Sequence, residues 1–273
     1  EVWNEPNLGS FFDGTKEQFL ELWNCTYEAI KEVDPDLQVG GPSTARAEWI
    51  EDLIVYGKKA DCEPDYIITH CYNNDSASQP LSPFEGPQED KSNKSPHFLK
   101  GVVRGVKSLL NDLNYSGEVH WNEWGRSWHP YDPIRESEAE AAFIVKSMAE
   151  VSQDADYFAY WNLSDIYDQC GFGAETFHGN YGMLNLQGLR KPNYHAHQLL
   201  CRLGNESVPL SVSGDDLSGA VITDDRDALK ILVYNYLHDD MPKKDSEEVQ
   251  VKLPDNFKNR YDAEHVSLIR LCS

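Results

Sequence analysis

The 273-residue sequence lacks the features that mark several classes of protein. It has no apolar run of the roughly 18 residues that a membrane-spanning helix needs, and its six cysteines include no Cys-x-x-Cys pair. Basic residues are scarce, with 24 Lys and Arg against 46 Asp and Glu, so the formal net charge is -22. Such a surface repels phosphate backbones and anionic membranes. We therefore expect no nucleic-acid or membrane partner, no zinc ribbon and no dithiol redox motif.

Aromatic residues, in contrast, are plentiful, with seven Trp and fourteen Tyr. They offer flat faces on which sugar rings stack, but they serve equally well in an aromatic-rich core. The chain begins at Glu1 rather than at Met, inside a motif, so we expect its natural N-terminus to lie further upstream. Compartment and oligomeric state stay open.

Short apolar runs alternate with amphipathic helical stretches from residue 1 to about residue 205, which is the pattern of a parallel α/β sheet. The predicted strands are Glu1–Glu5, Leu37–Gly41, Asp65–His70, Val119–Glu123 and Tyr157–Trp161. Predicted helices start at Thr15, Ser95 and Ser137, and two more cover Ala47–Lys59 and Tyr194–Leu203. Thr15 followed by Gln18 is a capping-box pattern.

Polar residues concentrate at the C-terminal ends of these strands, where the active site of a TIM (β/α)₈ barrel gathers. These residues are Asn4, Glu5, His70, Asn122, Glu123, Trp161 and Asn162. A doubly wound open sheet is the structural alternative, but the chain has no Gly-x-Gly-x-x-Gly turn. The sequence therefore predicts an α/β fold with an incomplete TIM barrel as its catalytic domain over residues 1–205.

Residues 206–273 follow a different pattern. Ala220–Thr223, Leu229–Tyr236 and Val249–Leu253 alternate or run apolar between Asp-rich turns, which indicates antiparallel strands. Three or four strands are too few for a stable sandwich. We predict a partial β-rich accessory domain, part of a β-sandwich.

The opening residues, Glu-Val-Trp-Asn-Glu-Pro-Asn-Leu, are the strongest functional signal. Pro6 stops the strand ladder and leaves Glu5 at the mouth of the sheet. Glu123 lies in a similar setting, between Asn122 and Trp124. Glycoside hydrolysis needs two carboxyl groups of different character, one protonated and one ionised, and this pair meets that need.

Residues 1 to about 205 resemble glycoside hydrolase family 39, and its β-xylosidases in particular. The matching segments are Glu1 to Leu8, Val39 to Pro42, His70 to Tyr72, Trp121 to Trp124, Tyr160 to Asp165, Phe177 to Gly179 and Lys191 to Ala196. So many motifs in the same order are specific for the family and less specific for the substrate.

The resemblance implies that Glu5 ends the fourth barrel strand as the acid/base and that Glu123 ends the seventh as the nucleophile of a retaining mechanism. The chain would then hold about strands 4 to 8 and lack strands 1 to 3. Because five strands cannot close an eight-stranded barrel, we expect the chain alone to be inactive and marginally stable.

The resemblance also implies a set of substrate-binding residues. Asn4 would bind the 2-hydroxyl of the sugar, which requires the strand end to bend, since strict alternation puts Asn4 and Glu5 on opposite faces. His70 and Tyr72 would bind the ring and orient the nucleophile, and Trp161 would form the floor of the pocket by stacking.

Two departures from the family pattern bear on which sugar the pocket is expected to bind. Gly125-Arg126-Ser127 follows the nucleophile where xylosidases usually have Asn and hydroxyl residues, and Asp168 is followed by Gln169 where a pair of acidic residues is expected. They argue against a plain xylose pocket. Arg126 is suited to pair with a uronic-acid carboxylate, or else it lies exposed on the surface.

The leading hypothesis is a retaining exo-β-glycosidase, first of all a β-xylosidase, acting on a glycoside or oligosaccharide without a cofactor. The rivals are an α-L-iduronidase-like uronidase and an inert carbohydrate-binding relative. We expect no metal site at His195 and His197, because residues i and i+2 of a helix do not face the same way.

Overall fold

The computed structural model describes residues 1–75, 95–167, 169, 171, 173–209, 211, 218–224, 228–237, 250 and 252. The helices are α1 (Lys16–Val33), α2 (Ile50–Ala60), α3 (Phe98–Asp112), α4 (Glu138–Val151) and α5 (Pro192–Leu200), with 3₁₀ turns at Ala45–Ala47 and Pro133–Glu136. The strands are β1 (Gly40–Thr44), β2 (Tyr66–Tyr72), β3 (Val119–Gly125), β4 (Tyr157–Tyr160), β5 (Glu206–Ser207), β6 (Ser218–Asp224) and β7 (Leu229–Asn235).

The first four strands form one parallel sheet in the order β1-β2-β3-β4, with helices in the connections. Parallel neighbours in chain order, joined through helices, are the arrangement of a (β/α)₈ barrel. Four of the five predicted strands are therefore confirmed, each with shifted ends, and the sheet agrees with part of such a barrel.

The prediction of a strand at Glu1–Glu5 is wrong. Trp3 has φ 65° and Glu5 has φ 43°, and these left-handed conformations interrupt the extended backbone that a strand ladder needs. Two amides still donate to the neighbouring strand, Val2 N to Gly40 O at 3.3 Å and Glu5 N to Ser43 O at 2.8 Å. The segment thus lies beside β1 as irregular chain, and the bend that Asn4 was expected to require is present.

Local signals fix the helix ends. At the start of α1, Gln18 N donates to Thr15 Oγ1 at 3.3 Å and Thr15 N donates to Gln18 Oε1 at 2.8 Å, so the predicted capping box is confirmed. Helix α4 begins next to Ser137 as predicted, but without such a box. Its Glu140 is instead fully buried and accepts a hydrogen bond from Tyr160 OH at 2.9 Å.

The main core lies between the sheet and helices α3 and α4. Its buried members include Ile67, Val102, Val106, Trp121, Trp124, Phe143 and Ile144. A second core packs α1 and α2 against the start of the chain, around Phe19, Trp23 and Leu53. Burial of these apolar faces holds the helices against the sheet and fixes the strand ends that carry the site.

The second sheet is antiparallel, in the order β5-β6-β7, and it confirms the strands predicted at Ala220–Thr223 and Leu229–Tyr236. Tyr236, directly after β7, is 3% exposed and packs against Phe143 of α4 with ring centroids 6.0 Å apart. The predicted strand Val249–Leu253 lies largely outside the described residues. A complete sandwich and the boundary at residue 205 stay predictions.

Within the described ranges, no helix is both long and apolar enough to cross a membrane. Free thiols are present at Cys25, Cys62, Cys71 and Cys201, of which Cys62 and Cys71 are buried.

Candidate active site

The two predicted catalytic carboxyl groups meet at the C-terminal edge of the parallel sheet. The register between β2 and β3 shifts after Thr69, which pairs with Trp121, so that His70 pairs with Glu123. The amide of Glu5 is held by the carbonyl of Ser43. The shifted register and the bent opening segment therefore bring Glu5, His70 and Glu123 to one place.

His70 lies between the two carboxyl groups. Its Nδ1 is 2.9 Å from Glu5 Oε1 and 3.5 Å from Glu123 Oε2, and its side chain is 1% exposed. One oxygen of Glu5, one oxygen of Glu123 and a ring nitrogen of His70 all lie within 4.8 Å of one another. The two carboxyl groups are thus close enough to act on the same small group.

Tyr72 binds the other oxygen of Glu123. Its hydroxyl donates to Glu123 Oε1 at 2.6 Å. Burial and then the negative charge of Glu123 raise the pKa of Tyr72 well above its ordinary value, so the hydroxyl keeps its proton. Glu123 is therefore oriented by a hydroxyl donor on one side and by His70 on the other.

Burial and nearby charges shift the titration of this cluster. Burial raises the pKa of Glu123, while the charge of His70 and the hydrogen bond from Tyr72 oppose that rise. For His70, burial alone would lower the pKa, but the bond to Glu5 and the negative charges of Glu123, Glu5 and Glu1 outweigh burial and raise it. The ring is thus charged over a wider pH range than a free histidine.

A further chain of polar contacts extends from the other ring nitrogen, and sequence reasoning missed it. His70 Nε2 is 3.4 Å from Ser43 Oγ, which donates a short hydrogen bond to Glu1 Oε1. Asn122 Nδ2 donates to Glu1 Oε2 at 2.9 Å. The one available signal was a third carboxylate, Glu1, in the motif that contains Glu5.

The other predicted binding residues are exposed, partly buried or outside the described residues. Asn4 is exposed beside Glu5, and Gln169 is exposed as well. Trp161 follows β4, donates its amide to Trp124 O at 3.3 Å and meets Tyr167 edge to face at 5.2 Å. Asp168 lies outside the described residues. The structure therefore unites Glu5, His70, Tyr72 and Glu123 more tightly than the rest.

Arg126 is buried, with 6% of its surface exposed, so the alternative of a surface arginine is wrong. Its guanidinium lies 5.7 Å from the ring centroid of Tyr236, and its charge acts on the carboxylate of Glu140. Burial follows because the residue after β3 is covered by α4 and by the chain after β7. Arg126 thus lies where helix α4 and the chain after β7 meet the end of β3.

Glu5, His70 and Glu123 also offer the three ligand atoms that a cation site would need. His70 Nδ1 and Glu5 Oε1 are already hydrogen-bonded to each other, and Tyr72 OH donates to Glu123 Oε1. Two acids that share a histidine are suited to proton transfer without a metal. His197 Nδ1 is bonded to Asn193 O at 2.8 Å within α5, and His195 meets the ring of Tyr194. The absence of a resident metal stays a prediction.

Comparison with known proteins gives a consistent result. The family model described as "Glycosyl hydrolases family 39" matches residues 1–266. A beta-xylosidase of Caldicellulosiruptor saccharolyticus is 37% identical over 212 residues, which cover 77% of this chain and 42% of that protein. A beta-xylosidase of Geobacillus stearothermophilus is 30% identical over 210 residues, covering 76% and 41%.

Among solved structures, the crystal structure of a monomeric beta-xylosidase from Caulobacter crescentus CB15 superimposes with a TM-score of 0.75 at 30% sequence identity. The match covers 88% of this chain and 47% of that one. The chain therefore spans less than half the length of these two beta-xylosidases and of this solved structure.

Proposed function

The chain belongs to glycosyl hydrolases family 39, and on this basis we propose that it carries the catalytic pair of a retaining β-xylosidase. The substrate is a β-xylosyl group at the non-reducing end of a glycoside or oligosaccharide. The named relatives support the sugar, since two curated proteins and a solved structure that resemble the chain are called beta-xylosidases.

Glu123 acts as the nucleophile and Glu5 as the acid/base. In the first step the Glu123 carboxylate attacks C1 of the xylose while Glu5 gives a proton to the departing oxygen. In the second step Glu5 takes a proton from water, and that water attacks C1 and frees Glu123. Both carboxyl groups return to their starting state, so no cofactor is required.

The observation that carries this mechanism is the separation of the two carboxyl groups. One oxygen of Glu5 and one oxygen of Glu123 lie within 4.8 Å of each other, closer to the roughly 5–5.5 Å of retaining enzymes than to the roughly 6.5–9.5 Å of inverting ones. An inverting mechanism needs a wider separation, which leaves room for the attacking water molecule. A direct attack by Glu123, with net retention, fits the site.

The hydrogen bonds of Glu123 support its assignment as the nucleophile. Tyr72 OH and His70 stabilise its ionised form and hold the carboxylate in one orientation. Arg126 does not favour a uronidase, because its guanidinium lies over the ring of Tyr236 and its charge acts on Glu140.

The stereochemistry of the first product tests this mechanism. Aryl β-xyloside is hydrolysed by the full polypeptide that contains residues 1–273, and proton NMR follows the anomers before they equilibrate. We expect β-xylose first. If α-xylose appeared first, the mechanism would be inverting and Glu123 would act as a base towards water.

A substrate panel tests the sugar. Aryl β-xylosides, arabinosides, glucosides and iduronides are compared by kcat/KM, and we expect the xyloside to lead. Glu118→Gln provides the control variant, because Glu118 is an exposed carboxylate at the opposite end of β3 and should leave every rate unchanged. A preference for iduronide would replace the proposed substrate.

A further inference from the structure

The contacts behind His70 contain a second layer of the site. Ser43 is fully buried at the end of β1, and its hydroxyl is shared by His70 and Glu1. Glu1 is held from its other side by Asn122 of β3. Three carboxylates therefore surround one imidazole, with Glu5 and Glu123 near Nδ1 and Glu1 reached from Nε2 through Ser43.

The direction of each hydrogen bond follows from the groups present. An ionised carboxylate only accepts, so the Ser43 hydroxyl donates its single proton to Glu1. The lone pairs of Oγ then face Nε2 of His70, which must carry a proton to bond with them. The Glu1–Ser43 pair therefore favours a protonated Nε2.

The other ring nitrogen faces two acceptors. Nδ1 lies near both Glu5 and Glu123, and an ionised carboxylate at either position requires a proton on Nδ1 as well. With both nitrogens protonated, the ring is an imidazolium whose positive charge lies between the two reacting groups. The same logic applies to the aspartate behind the histidine of a hydrolase triad, which stabilises the charged ring without reacting.

We propose that Glu1 and Ser43 are positioning residues that hold His70 as a doubly protonated ring between Glu5 and Glu123. This inference rests on the proposed function, since it concerns the groups that perform it. The charged ring favours the ionised nucleophile before attack, and it favours the Glu5 carboxylate that forms when the acid releases its proton. Neither Glu1 nor Ser43 needs to touch the substrate.

Histidine nitrogen NMR tests the proposal without turnover. The full polypeptide is labelled with ¹⁵N-histidine, the His70 signals are assigned by their loss in His70→Asn, and their pH titration is followed. Ser43→Ala should move the midpoint of the His70 titration about one pH unit lower, a ten-fold loss of proton affinity. Residue 43 has a backbone φ of 58° in which alanine and serine are placed alike, so the substitution removes only the hydroxyl.

Glu1→Gln is the second variant, because glutamine keeps the size of Glu1 and an oxygen that accepts the Ser43 hydrogen bond while it removes the charge. We expect a downward shift of the His70 midpoint here too. Glu118→Gln is the matched control: it removes an exposed carboxylate at the other end of β3, so it should leave the midpoint of the His70 titration unchanged. An unchanged His70 midpoint in both Ser43→Ala and Glu1→Gln would overturn the proposal.

The pH profile provides the functional readout. Loss of a charged His70 removes the cation that opposes the raised pKa of Glu123, so the acidic limb of kcat/KM should move to higher pH in both variants. A purely structural role would lower the rate at all pH values alike. Because the NMR titration needs no catalysis, failure of this proposal is distinguishable from failure of the proposed function.

Discussion

Among the described residues, two clusters place a pair of carboxylates around one basic side chain, and the clusters differ in that basic residue. At the sheet edge, Glu5 and Glu123 share His70. In the second cluster, Asp165 after β4 and Glu136 before α4 share Lys191, whose Nζ lies 2.7 Å and 2.9 Å from their oxygens.

The lysine cluster is buried from solvent. Lys191 and Asp165 are fully buried, Lys191 also donates to Asn180 O at 3.1 Å, and Asp165 accepts from Gly182 N at 2.7 Å. Histidine is the side chain whose charge changes near neutrality. The difference teaches that the same charge arrangement stabilises a fold around a lysine and supports proton transfer around a histidine.

The largest expected effect concerns the lysine cluster. Lys191→Met leaves the carboxylates of Asp165 and Glu136 buried without their cation, which should lower the free energy of unfolding by about 3–5 kcal/mol. Lys16→Met is the control, because the Lys16–Asp52 pair at 2.7 Å is well exposed and should contribute less than about 1 kcal/mol. Urea denaturation measures both. Equal losses in the two variants would contradict the assignment of Lys191 as a structural cation.

A smaller effect is expected at the catalytic cluster. Tyr72→Phe removes the hydroxyl that orients Glu123, and a hydrogen bond to a charged group is worth about 1.5–3 kcal/mol, so kcat should fall about 10- to 100-fold. Tyr160→Phe removes an equivalent tyrosine–glutamate bond, to Glu140, away from the catalytic pair. It should lower the melting temperature and leave kcat unchanged. A similar loss of kcat in both variants would show that Tyr72 acts through stability alone.

The smallest expected effect is the pH dependence of stability. The pKa of His70 is raised in the folded state, so its contribution to stability is full below the ordinary histidine pKa and is lost as the pH rises through the folded value. Replacement of His70 by glutamine should therefore lower the melting temperature more at pH 6 than at pH 9. Burial lowers the pKa of His197, so the glutamine variant there should show the opposite trend. Thermal melts of both variants at the two pH values measure these trends. If the two variants changed with pH in the same direction, this assignment would be contradicted.

The two clusters were not equally visible in the sequence. The Asn-Glu-Pro motif and the repeated strand ends identified Glu5 and Glu123, and the family resemblance added His70 and Tyr72. Lys191 lay in a matched segment, but nothing in its pattern linked it to Asp165 or Glu136. Its role depends on contacts between distant segments, which local periodicity does not encode.

The same limit explains the errors in the fold. Apolar periodicity predicted the four strands of the parallel sheet and the helices α1 to α5, with shifted ends, because burial against a core imposes that pattern. It could not reveal the left-handed backbone of Trp3 and Glu5, which turned a predicted strand into irregular chain. Nor could it reveal that Arg126 is covered by Tyr236, which lies in a distant part of the chain.

Trapping of the glycosyl intermediate tests the central claim most directly. The full polypeptide is treated with a 2-deoxy-2-fluoro-β-xyloside that has a good leaving group, digested, and sequenced by mass spectrometry. We predict one fluoroxylosyl ester, on the carboxylate of Glu123. An ester on Glu5 or on any other residue, or continued turnover with no ester at all, would contradict the assignment.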